Sequence, residues 1–160
     1  MRGRGFTLLE FLICCSLLLV IVGFALPWAR SWIQQNQRDM LAAQIIQIIT
    51  YSKTQALLMG APIRLTPVLG GDNWDLGMQL SADSIKHQVL YEWSWNLHGM
   101  HLTWHGFQAH DYLRFDIQAR HQALNGYFLI EYHGHILEKI ILNRLGDIRV
   151  ELGERKVWSN

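Results

Sequence analysis

The longest apolar stretch comes first. From Phe6 to Ala25 about 20 residues are predominantly hydrophobic, interrupted near their start by a carboxylate, Glu10. As a helix such a run rises roughly 30 Å, enough to cross a bilayer, so the pattern predicts a transmembrane segment. Pro27 follows and predicts a bend, and Trp28 and Trp32, four residues apart, suit an outer membrane interface. The chain then turns polar through SWIQQNQRDM. From Leu41 the positions Leu41, Ile45, Ile48, Ser52, Ala56 and Met59 recur at helical spacing, with Ile46 and Ile49 widening the stripe. This half of the helix is expected to pack on a globular domain. Gly60 and Pro62 end it.

Beyond Ile63 the period changes to two. Ile63–Thr66 is a short alternating strand candidate, and Gly70-Gly71-Asp72-Asn73 a turn. Val89, Tyr91, Trp93 and Trp95 alternate with Leu90, Glu92, Ser94 and Asn96; Met100, Leu102 and Trp104 continue the alternation after His98-Gly99. Trp93, Trp95 and Trp104 fall on the expected buried face. Tyr112–Ile117, Tyr127–Tyr132, Ile136–Leu142 and Ile148–Leu152 complete about seven strands, with turns at Asn125-Gly126 and Leu145-Gly146-Asp147. The expected fold class is α+β, a long N-terminal transmembrane helix packed on an antiparallel two-sheet β domain. The segments are a short basic leader (1–5), a membrane helix (6–27), its amphipathic continuation (28–60) and a β domain (61–160).

Composition adds limits. The 160 residues carry a net charge of +1, and once Arg2, Arg4 and Glu10 are set aside the remaining 12 basic and 12 acidic side chains cancel. No bulk positive field therefore argues for nucleic acid. The two cysteines, Cys14 and Cys15, are adjacent within the apolar run and read as small hydrophobes. The domain beyond has none, which fits an oxidising compartment without requiring one.

Three readings compete for the N-terminus. A secretory signal peptide would be cleaved near Gly23-Phe24-Ala25, but the run is long for one and Glu10 interrupts it. A plain membrane anchor explains the length, and Arg2 and Arg4 would keep the N-terminus cytoplasmic, yet Glu10 stays unexplained. The stretch Gly5-Phe6-Thr7-Leu8-Leu9-Glu10 resembles the leader junction of type IV pilins and type II secretion pseudopilins. The resemblance implies cleavage by a prepilin peptidase between Gly5 and Phe6 and N-methylation of Phe6. It also gives Glu10 a role in assembly, matched in an apolar helical bundle by the amino terminus of a neighbouring subunit. Single-pass placement in a bacterial inner membrane would follow, with the N-terminus cytoplasmic, the C-terminal domain periplasmic and the subunit assembled into a periplasmic or surface filament.

Further along, YSKTQALLMGAPIRL, Asn73-Trp74-Asp75-Leu76-Gly77, Asn125-Gly126-Tyr127-Phe128 and Asn143–Val150 look like the GspH/FimT group of minor pseudopilins and pilins, with its Trp-x-x-Gly and terminal Gly-Arg-x-Arg features. That resemblance implies a structural subunit near the tip of a type II secretion pseudopilus or type IV pilus. Its partners would be other major and minor pilins, the inner membrane and secreted cargo. The alternative is a pilus-tip DNA-binding subunit for DNA uptake, carried by Arg144, Arg149, Arg155 and Lys156. Asp147 departs from the arginine motif, and Glu151 and Glu154 are interleaved with the cations.

Other chemistries find little support. His101 and His105, and likewise His133 and His135, are expected to share strand faces, but no cysteine or ordered acidic ligand joins them as a metal site. There is no Gly-x-Ser-x-Gly elbow, no Cys/His pairing outside the apolar run and no phosphate loop. Catalysis is not indicated, and no cofactor is expected.

Overall fold

The computed structural model describes residues 8–83, 88–118 and 121–153, without the side chains of 24–31 and 34. The chain divides into two compact units, Met1–Gln37 and Arg38–Asn160. One helix, α1 (Leu8–Met59), contributes residues to both. In the first unit its described apolar side chains, among them Leu8, Phe11, Leu12, Leu17, Leu19 and Ile21, are exposed.

No helix among the described residues is long and apolar enough to cross a membrane. The expected transmembrane helix is corrected accordingly, and with it the fold class built on it and the single-pass inner-membrane location. Glu10 lies inside the apolar part of α1.

In the second unit α1 is amphipathic. Leu41, Ala42, Ile45, Ile48, Ile49, Ser52 and Ala56 are buried, a stripe at i, i+4, i+7 spacing. The buried Ser52 hydroxyl donates to the Ile48 carbonyl, so its polarity is satisfied within the helix. Met59, expected on the same stripe, is exposed. The helix stops one residue later, where Gly60 takes a left-handed φ of 64° and its N–H donates to the Ala56 carbonyl.

Eight strands follow: β1 (Ile63–Pro67), β2 (Gly77–Ala82), β3 (Val89–Ser94), β4 (Met100–Gly106), β5 (Leu113–Phe115), β6 (Gly126–Tyr132), β7 (His135–Leu142) and β8 (Ile148–Leu152). They form two four-stranded antiparallel sheets, ordered β3-β2-β1-β5 and β4-β6-β7-β8. Strand β2 has no counterpart in the sequence pattern. Its residues GMQLSA lack β-branched side chains and bury in a two-in, one-out order instead of alternating. The tryptophans also differ from expectation: Trp104 is buried, but Trp93 and Trp95 are only half-buried. For Trp93 the cause is topological, because β3 is an edge strand and one flank of its inward face lacks a neighbour; Trp95 lies just past the end of β3.

One apolar core joins the helix stripe to both sheets. Trp74, in the β1–β2 connection, has no exposed surface and meets Phe128 of β6 edge-to-face at 5.3 Å. The spacing Trp74-x-x-Gly77 then has a physical reason. Gly77 has φ 147°, and a Cβ there would stand 2.1 Å from the Trp93 carbonyl oxygen, so only glycine lets β3 lie against β2.

Two charged arrangements tie elements together. Asp83 bridges Arg64 of β1 and Arg114 of β5 at 2.8 and 2.9 Å. Neither guanidinium Nε is aligned for a hydrogen bond, so the contacts are ionic. Arg38, in α1, stands 3.3 Å from the buried Glu138 carboxylate of β7, again without hydrogen-bond alignment. Burial pushes the Glu138 carboxyl up from its ordinary value; Arg38 opposes the shift and Asp39 adds to it.

Ile45→Ala should cost about 2–5 kcal/mol of stability by opening a cavity, whereas the exposed Thr50→Ala should stay within about 0.5 kcal/mol, both read by denaturant unfolding. For Glu138 the folded pKa lies above the unfolded one. Its stabilising contribution is therefore complete below about pH 4.3 and is lost as pH rises through the folded value. Glu138→Gln should accordingly gain stability relative to the parent as pH is raised from 4 towards neutrality. A gap that stays constant with pH would contradict this.

Candidate functional site

Gly5 and Phe6, the expected processing junction, lie outside the described residues. Glu10 lies in the first described turn of α1, on its exposed surface. Its neighbours Leu8, Leu9, Phe11, Leu12 and Ile13 are all exposed. A helix apolar around its circumference needs a cover, and in the isolated chain this one has none from the described residues.

The second group of candidate residues sits at the β7–β8 turn and on β8. Asn143 organises the turn. Its Oδ1 accepts from the N–H groups of Leu145 and Asp147 at 2.8 and 2.9 Å, and its Nδ2 donates to the Asp147 carboxylate at 2.9 Å. Gly146 completes the turn with φ 77°, and Lys53 of α1 donates to the Leu145 carbonyl at 3.0 Å. Asp147 is thus engaged in holding the turn. Arg144 is exposed in the turn, and Arg149 is exposed on the edge strand β8, 3.5 Å from Glu151. Such a solvated pair contributes little to stability. Arg155 and Lys156 lie outside the described residues. Arg144 and Arg149 therefore stand among two acids, Asp147 and Glu151, with the Lys53 ammonium at the turn as a further cation.

The histidines separate. His101 and His105 do share the outer face of β4, both exposed, and His101 Nδ1 lies 2.8 Å from Asp75. His133 is not on a strand; it takes φ 49° in the β6–β7 turn, so the expected pairing of faces with His135 is corrected. An open cleft of about 480 Å³ is lined by Asp72, Asp75, His101, Thr103 and Glu131. Among the described residues no group of three or more His, Cys, Asp or Glu side chains could hold a metal ion.

A further cluster went unmarked in the sequence because its members are 40 residues apart. Tyr51 of α1 packs edge-on against Tyr91 and Trp93 of β3, with centroids 5.6 and 5.7 Å away. Only the aromatic alternation along β3 hinted at it.

Asn143→Ala and Asp147→Ala should each lower stability by about 0.5–1.5 kcal/mol, the usual net value of lost hydrogen bonds, in a thermal unfolding comparison. Combined, they should cost less than the sum, because the two side chains bond each other.

No protein-family model matches this chain, and no curated protein matches it.

Proposed function

We propose that this chain is a minor pseudopilin or pilin, a structural subunit near the tip of a type II secretion pseudopilus or type IV pilus that supports protein secretion. The observation carrying the reading is the N-terminal part of α1. Its apolar side chains are exposed on the isolated chain, yet it bears a carboxylate, Glu10, four residues after the pilin-like Gly5-Phe6 junction. An all-round apolar helix is normally buried. No helix among the described residues is long and apolar enough to cross a membrane, so the cover proposed is the equivalent helices of neighbouring pilins.

In that bundle the subunit enters after a prepilin peptidase has cut between Gly5 and Phe6 and Phe6 has been N-methylated. The amino terminus of a neighbouring Phe6 then meets Glu10. Desolvating the two charges costs energy that their attraction offsets only in one alignment, so the pair sets register between subunits. The Arg38–Asn160 unit remains free for contact with other minor pilins and with cargo. Secretion is favoured over DNA uptake because acids stand among the arginines of the described edge: Arg149 is paired with Glu151, and an aspartate occupies the place of the motif arginine.

The chain should be recovered in filaments purified from cells producing it with its cognate pilins. Glu10→Ala should reduce that recovery by about tenfold or more, the usual consequence of leaving a buried partner charge unpaired. Absence of the parent chain from filaments would contradict the proposal. Equal recovery of the variant would remove the register role of Glu10.

A further inference from the structure

The aromatic cluster on β3 does more than close the core. The half of α1 in the second unit presents Gln44, Gln47, Ile48 and Tyr51 along one face, and the edge strand β3 faces it with Tyr91 and Trp93. Between them runs an open groove of about 250 Å³. Tyr91 and Trp93, two residues apart on one strand face, have ring centroids 5.0 Å apart and planes inclined by 30°. Tyr51 closes the inner end nearly perpendicular to Trp93. Tyr91 is 52% exposed, so a large aromatic side chain is held in place by its neighbours while part of it faces water.

The lining chemistry is selective. Apart from tyrosine phenols it contains no ionisable side chain. A nucleic-acid strand would need cations to follow its phosphates, and none lines the groove. A charged peptide would find no oppositely charged partner, and a quaternary ammonium ligand, which the ring faces could attract, would leave both amides without partners. What the groove offers is aromatic surface together with the amides of Gln44 and Gln47, each able to donate and accept at once. The two amides are one helical turn apart and make no hydrogen bond among the described residues, so both are available to a ligand. A neutral ring that is apolar on its faces and carries adjacent hydroxyls on its rim satisfies both sets of groups.

We infer that this groove binds a neutral carbohydrate, with a pyranose face stacked on the exposed side of the Tyr91 ring and ring hydroxyls bonded to Gln44 and Gln47. At about 250 Å³ the groove is smaller than the roughly 300–1,000 Å³ of drug-sized pockets, which suits an exposed saccharide unit of a longer chain. Part of the β3 backbone edge lies beside it, because β3 ends its sheet. An extended proline-rich peptide would use the aromatic surface too, but it would leave the paired amides with fewer partners than vicinal hydroxyls give them. The inference stands independently of the filament proposal.

The test is a titration of the full chain with neutral cello-, malto- and chito-oligosaccharides, followed by saturation-transfer NMR and calorimetry, alongside a proline-rich peptide. The expected result is saturable binding of at least one sugar series. Tyr91→Ala should weaken it by about tenfold or more and Gln47→Ala should also weaken it, while Tyr91→Phe, which keeps the stacking face, should retain it. Gln47→Ala should unfold at the parent's denaturant midpoint, Tyr91→Ala should lose some stability with its ring contacts to Tyr51 and Trp93 but stay folded under the binding conditions, and all midpoints are measured in parallel. No saturable binding of any sugar would overturn the inference. So would binding that Tyr91→Ala leaves unchanged, or occupation of the groove by the peptide alone.

Discussion

The stripe on α1 from Leu41 to Ala56 has to leave water on two sides at once, and the domain is arranged around that demand. Ile45 and Ile49 have no exposed surface, and a helix face buried this fully needs apolar partners along its whole length. One sheet is not wide enough to supply them. The helix is instead tied to both: Tyr51 meets β3 of the first sheet, Arg38 reaches Glu138 of the second, and Lys53 caps the β7–β8 turn. Trp74 closes the remaining gap against Phe128, carried there by a connection of the first sheet into the interior of the second. These contacts make one core out of what would otherwise be two.

Most of the apolar burial in such a domain comes from nonspecific hydrophobic matching, and the charged pairs add less to stability than to alignment. Glu138 illustrates the trade. Its burial costs free energy that raises its proton affinity, and Arg38 restores only part of it. The pair fixes which turn of α1 lies over β7. Glu10 has the same character at the other end of the helix in the proposed assembly, where a carboxylate in apolar surroundings sets alignment at the expense of stability.

Much of the β domain was legible in the sequence wherever alternation was strong. Tyr127–Tyr132 and Ile148–Leu152 appear as strands within a residue of their expected bounds, and Leu41, Ile45, Ile48, Ser52 and Ala56 do lie on a buried helical face. Strand β2 was illegible because its pairing partners, not its own residues, hold it extended. Trp93 was misplaced because the sequence does not say which strand will lie at an edge. The membrane span was overdrawn: no helix among the described residues is long and apolar enough to cross a membrane. The proposed processing and assembly residues rest on a sequence motif alone. The aromatic groove was not legible at all, because it exists only where α1 and β3 face each other.

The most direct test of the filament account is the intact mass and N-terminal residue of the mature chain, isolated from cells that also hold a prepilin peptidase. The account predicts a chain beginning at N-methylated Phe6, shortened by the five residues Met1 to Gly5. A chain retaining Met1, or one beginning near Leu26 after signal-peptide cleavage, would contradict it.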